Sequence, residues 1–165
     1  MKPIISILFL ILSMSFQAQE MSIVRESYKV AAQDKTHLES FYDMMEPITK
    51  SDHVALVAYK GAALALQAKY AKTIKEKKDG FIDGVSYIEY AIEKEPNAIE
   101  PRFVRLGIQE NAPKILKYRN NIEEDKAFLL KQFEHIGSKN LKGHINDYIL
   151  QSKLFTEEEK ESIKE

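Results

Sequence analysis

The stretch Val54–Leu66 reads VALVAYKGAALAL. Leu56, Tyr59, Ala63 and Leu66, with Tyr70 beyond, recur on one side of a helix, while Ala55, Ala58, Ala62 and Ala65 line another. A helix that lacks a polar face is normally buried. The alanines and Gly61 also let neighbouring helices approach closely, so this segment is expected to be the central helix, running from about His53, capped by Asp52, to Lys75. The run KEKKD (75–79) reads as its charged exit and Gly80 as the turn. Next, Phe81, Gly84, Val85, Ile88, Ala91 and Ile92 fall at offsets of three, four and seven, which makes the cleanest amphipathic stripe in the chain. Pro96 ends it, because the residue before a proline is pushed out of helical geometry.

Further out the same pattern continues. Val24, Tyr28 and Ala31 share a face of a helix that starts near Ser22. Thr36 and Glu39 have the form of a capping box ahead of Leu38, Phe41, Tyr42 and Met45, and Pro47 stops that helix. On the other side, Pro101 suits the first turn of a helix over Arg102–Asn111, and Pro113 closes it. Asn121 with Glu124 opens a helix that turns Leu129, Leu130, Phe133 and Ile136 inward and ends at Gly137. Leu141, Ile145, Tyr148 and Ile149 form one more apolar face. Thr156 with Glu159 caps a last, acidic helix with only Ile163 to bury, expected to fray or extend into solvent. No segment shows a sustained period of two bounded by hairpin turns. The fold class predicted is all-α, an irregular stack of antiparallel helical hairpins with about seven to eight helices.

The 165 residues suit one ordinary domain. Lys2, then the apolar run Ile4–Leu12, then Ser13–Ala18 give the charged, apolar and cleavage order of a secretory signal peptide, and the run is too short for a stable membrane span. Cleavage is expected after Ala18, within one or two residues; an uncleaved amino-terminal anchor is the other reading. The organisation predicted is a signal peptide (1–18), one helical domain (19–155) and a charged helix or tail (156–165). Export leads to the periplasm or the extracellular space, and the processed chain has no second segment able to span a bilayer. The whole chain carries 24 basic and 25 acidic groups, a balance that argues against nucleic-acid binding through bulk charge. The absence of cysteine excludes a disulfide framework, a thiolate metal site, a cysteine nucleophile and a lipidated amino terminus.

Residues 81–107 resemble part of a tetratricopeptide repeat. Gly84, Ile88, Ala91 and Pro96 match the spacing of that family's second helix, and Phe103, Leu106 and Gly107 match the aromatic and Leu-Gly pair that open the next repeat. The resemblance implies helical hairpins and a protein- or peptide-binding groove, with Val104, Ile108 and Asn111 at groove-facing positions. Three departures mark an irregular stack: a longer connector from Pro96 to Phe103, a stretched Gly61–Gly84 spacing, and no recurrence after Gly107. The end of the amino-terminal segment, SFQAQE (15–20), and the segments RFVRL and NIEEDK resemble exported Bacteroidota proteins, a likeness that implies export and no activity.

For catalysis the sequence offers little. His37, His53, His135 and His144 contain no pair three or four apart, so a helical zinc pair is missing; His144 with Asp147 is an i, i+3 pair that reads as a ligand pair or as a surface pair. There is no G-x-S-x-G elbow, and the six glycines are scattered singly. The acidic pairs and runs (Glu89 with Glu93, Glu123–Asp125, Glu157–Glu159) read mainly as capping and solvated faces. No catalytic residue, metal ligand or cofactor is predicted. Arg102 and Arg105 flank Phe103 after the Glu-rich helix end Glu89, Glu93 and Glu95, and two readings stand. One is an ion-pair network joining helices. The other is a groove made by Tyr59, Lys60, Arg102, Val104, Arg105, Ile108 and Asn111 for an acidic partner, since arginine offers fork-shaped donors. The function expected is a non-enzymatic module that binds an envelope protein or peptide. The alternatives are a small-ligand carrier or enzyme built from dispersed Glu, His, Arg and Tyr between helices, and a structural or stress protein without a dedicated ligand.

Overall fold

The computed structural model describes residues 20–164; the expected signal peptide lies outside the described residues. Eight α-helices follow one another with three short 3-10 turns, and the described residues contain no strand. They are α1 (20–33), α2 (Leu38–Met45), α3 (Val54–Ala68), α4 (Ile74–Lys94), α5 (Ile99–Asn111), α6 (Ile122–Gln132), α7 (Lys139–Gln151) and α8 (Glu157–Glu161). The all-helical reading therefore holds.

The alanine-rich segment is the centre, as its lack of a polar face requires. Val57, Ala58, Tyr59, Ala62 and Ala63 have no solvent exposure, and α3 packs against α2, α4 and α5. Its tightest partner is α4. A methyl group added to Gly61 would lie 2.5 Å from the carbonyl oxygen of Gly84, and one added to Gly84 would lie 2.6 Å from the backbone of both Ala65 and Gly61. Further along, Ala68 meets Gly80. Positions rise along α3 as they fall along α4, so these two helices run antiparallel with their backbones in contact.

Several helix ends differ from the sequence reading. The central helix stops at Ala68, not Lys75, because Thr73 and Glu76 form a reciprocal capping box that opens α4 there. KEKKD is thus the first part of α4, and Gly80 lies inside that helix. His53, through Nδ1, caps α3, while Asp52 accepts from the backbone and hydroxyl of Thr49. Asp34 caps a 3-10 turn ahead of α2, and the expected Thr36–Glu39 box does not form. Asn121 makes no cap bond at α6. The Thr156–Glu159 box is present, but the tail does not extend into solvent: Phe155 and Ile163 are buried, and Lys126 on α6 pairs with Glu159 at 3.3 Å. One apolar cluster runs from Val24 in α1 to Ile163 after α8.

Candidate functional site

Three networks of buried and half-buried charged groups tie together α1, α5, α6 and α7. In the first, Arg25 on α1 donates to both carboxylate oxygens of Glu100 on α5 at 2.6 and 2.9 Å, and the Tyr59 hydroxyl donates to the same carboxylate at 2.9 Å. The remaining Arg25 nitrogen reaches Asn140 on α7. Burial opposes the Arg25 charge, yet the Glu100 bonds and field hold its guanidinium above the ordinary range.

The second network belongs to the two arginines singled out in the sequence. Arg105 donates to both oxygens of Asp125 at 2.7 and 2.8 Å and to Glu89 at 2.8 Å. Arg102 donates to Asp125 at 3.1 Å, to Glu124 at 2.7 Å and to the Pro96 carbonyl. Tyr118 donates to Glu89. Burial works against the Arg105 charge, and Asp125 and Glu89 more than offset it. Both arginines are spent on carboxylates of this chain, the buried Asp125 and the more exposed Glu89 and Glu124, which is the ion-pair reading, with Asp125 and Glu124 as partners in place of Glu93 and Glu95. In the third, Glu110 accepts from Tyr148, Ser152 and the backbone of Lys153, tying the end of α5 to α7 and the segment after it.

The first and third of these networks join the helices that wall a cleft of about 490 Å³ between α1, α5 and α7, to which Ala65, Leu66, Lys69, Lys77 and Phe81 at the junction of α3 and α4 also contribute. Its floor is apolar: Leu66, Phe81, Phe103, Ile108, Leu116 and the ring of Tyr28. Along α1 it passes Arg25, Tyr28, Lys29, Ala32 and Gln33, a run of about 12 Å at the helical rise. Lys29, Lys69, Lys77, Asn111, His144, Asp147 and Gln151 stand around it.

The predicted groove is only partly this cleft. Ile108 and Asn111 line it. Val104 is wholly buried in the core, and Tyr59 is wholly buried on Glu100. Lys60 is buried too, donating to the Glu46 carbonyl at the end of α2. None of these three, nor Arg102 or Arg105, lines the cleft. His53 caps α3 through Nδ1, and Glu89 takes a bond from Arg105. His144 does line the cleft; burial lowers its pKa from the ordinary imidazole value, with Glu26 and Asp147 acting against that and Lys29 and Arg25 with it. It faces Glu26 at 3.7 Å, while Asp147 pairs with Lys29 at 3.0 Å, so His144 and Asp147 hold separate ion-pair partners. No group of three His, Asp or Glu side chains among the described residues is placed to hold a metal ion, and no helix there is long and apolar enough to cross a membrane.

The residues missed by the sequence reading are Tyr28, Phe81, Phe103, Gly107, Lys69 and Lys77. The first four hold helix-face or repeat-motif positions in the sequence, and nothing local signals that they converge. No known protein family matches the chain, and no curated protein or solved structure shows significant similarity to it.

Proposed function

We propose that the protein is an exported, non-enzymatic binding module whose ligand occupies the cleft along α1. The observation that carries this reading is the cleft itself. Its volume of about 490 Å³ falls within the roughly 300–1,000 Å³ of small-molecule sites, and its apolar floor with a few polar groups has the usual make-up of such a site. Among the alternatives raised by the sequence, a small-ligand carrier fits best. Export rests on the amino-terminal charge and apolar pattern, and the groove on α5 accords with the repeat-like positions Ile108 and Asn111.

An envelope protein or peptide is the second reading, and one observation favours it. Ile74 at the start of α4 and Ile115 beside the cleft residue Leu116 are 86% and 87% exposed, which suits contact with a partner that reaches past the cleft.

The neutral fluorescent probe phenylnaphthylamine tests the first reading. Mature protein is expected to bind it saturably, one probe per chain. Ala32→Trp, at an exposed position on the cleft wall, is expected to remove that binding without altering the far-ultraviolet circular dichroism. Folded wild-type protein with no saturable binding would overturn the proposal. Under the second reading, Ile74→Ser with Ile115→Ser removes binding of a protein partner and leaves the probe unaffected.

A further inference from the structure

Among the described residues the one fully buried side-chain polar atom without a partner is Gln109 Oε1; the Tyr28 hydroxyl is not enclosed in that way and opens on the cleft that Tyr28 lines. The Tyr28 ring packs against Phe41 and Tyr59, with centroids 5.9 and 5.3 Å away, and the residue is 8% exposed. Buried phenols usually find a hydrogen-bond partner. Tyr59, Tyr118 and Tyr148 do so, on Glu100, Glu89 and Glu110. The Tyr28 hydroxyl makes no hydrogen bond among the described residues, and it lies against Gly107, another cleft residue, where an added methyl group would come within 2.9 Å of it. Burial, helped by the charge of Glu110, raises its pKa, so it stays protonated and available as a donor. Glu110 itself is occupied by Tyr148, Ser152 and the Lys153 amide.

The charges around the cleft do not cancel. Arg25 is paired with Glu100, and Lys29 with Asp147. Lys69 and Lys77 have no ion-pair partner among the described residues, though both line the cleft. The chain as a whole has a net charge of −1, so this cationic margin runs against the average and complements an anion.

We infer that the ligand is a small anionic amphiphile, an alkyl carboxylate: its chain lies on Phe81, Phe103 and Ile108, one oxygen accepts from Tyr28, and Lys69 and Lys77 face its charge. The inference rests on the cleft being the binding site, and its test separates the two. Decanoate, decanol and decylammonium are each used to displace phenylnaphthylamine from the mature protein at low ionic strength, where surface charge acts most strongly. Decanoate is expected to displace the probe at least tenfold more tightly than decanol, and decylammonium more weakly than either. Lys69→Gln with Lys77→Gln is expected to abolish the preference for decanoate over decanol. Tyr28→Phe is expected to weaken decanoate about tenfold, or about 1.4 kcal/mol, while the melting temperature stays level or rises, because the lost hydroxyl had no partner.

Equal displacement by decanoate and decanol, with no effect of the lysine pair, overturns the anionic ligand and leaves the cleft reading in place. Probe binding that none of the three displaces overturns the alkyl chain as well. A Tyr28→Phe protein of lowered melting temperature and unchanged decanoate affinity overturns the role of the phenol. Absence of probe binding by the wild type defeats the cleft reading itself.

Discussion

Asp125→Ala should be among the most destabilising single changes in this chain, and the reason is local. Asp125 has no solvent exposure and takes bonds from Arg105 at 2.7 and 2.8 Å and from Arg102 at 3.1 Å. Without it the two arginines fare differently. Arg102 keeps Glu124 and the Pro96 carbonyl. Arg105, itself buried, keeps only Glu89 and loses partners at Nε and Nη2. Two lost bonds to a charged group, at about 1.5–3 kcal/mol each, agree with the roughly 3–5 kcal/mol seen when one partner of a buried ion pair is removed. A loss of about 4 kcal/mol is a large share of the roughly 5–15 kcal/mol by which domains are stable. Urea unfolding followed by circular dichroism measures it. The paired change Arg105→Met with Asp125→Leu should recover most of the loss, because apolar replacement of a whole buried pair is often neutral or better. A loss below about 1 kcal/mol, the scale of surface ion pairs, would refute the reasoning.

Two further outcomes are expected. Gly61→Ala gains about 1 kcal/mol of helix propensity, but its methyl group meets the Gly84 carbonyl oxygen at 2.5 Å and Ile88 at 2.7 Å, so over-packing of roughly 1–3 kcal/mol should win and lower the melting temperature, whereas Gly143→Ala, with nothing within 4 Å, should raise it. His144 has a lowered folded-state pKa from burial, so the unfolded chain takes up its proton first: its contribution is complete above about pH 6.5 and is lost as pH falls through the folded value. Stability measured from pH 7 to 5 should therefore decline, and His144→Gln should flatten that decline.

What could be read along the chain was whatever a single helix face contains. Val57, Ala58 and Ala62 had to be buried because no polar side of that helix existed to face water, and Phe81, Ile88 and Ala91 marked their stripe by period alone. Boundaries failed where two signals competed. The charged run at 75–79 and Gly80 suggested an exit, yet the Thr73–Glu76 box supplied a stronger start, and Gly80 was wanted for its close approach to Ala68. The networks were half legible. Arg102 and Arg105 called for carboxylates, but Asp125 sat inside an acidic run that looked solvated, and the pairing of Arg25 with Glu100 spans a separation that no local pattern encodes. The cleft was the least legible feature, since Tyr28, Phe81, Phe103 and His144 meet only after four helices are in place.

The central claim is that this cleft is where the protein binds its ligand. Intermolecular nuclear Overhauser effects between bound decanoate and the isotope-labelled protein test it most directly. The account predicts contacts from the alkyl chain to the rings of Phe81 and Phe103 and to Ile108, with the carboxylate end beside Tyr28. Contacts confined to Ile74 and Ile115, or none to the cleft residues at saturating decanoate, would contradict it.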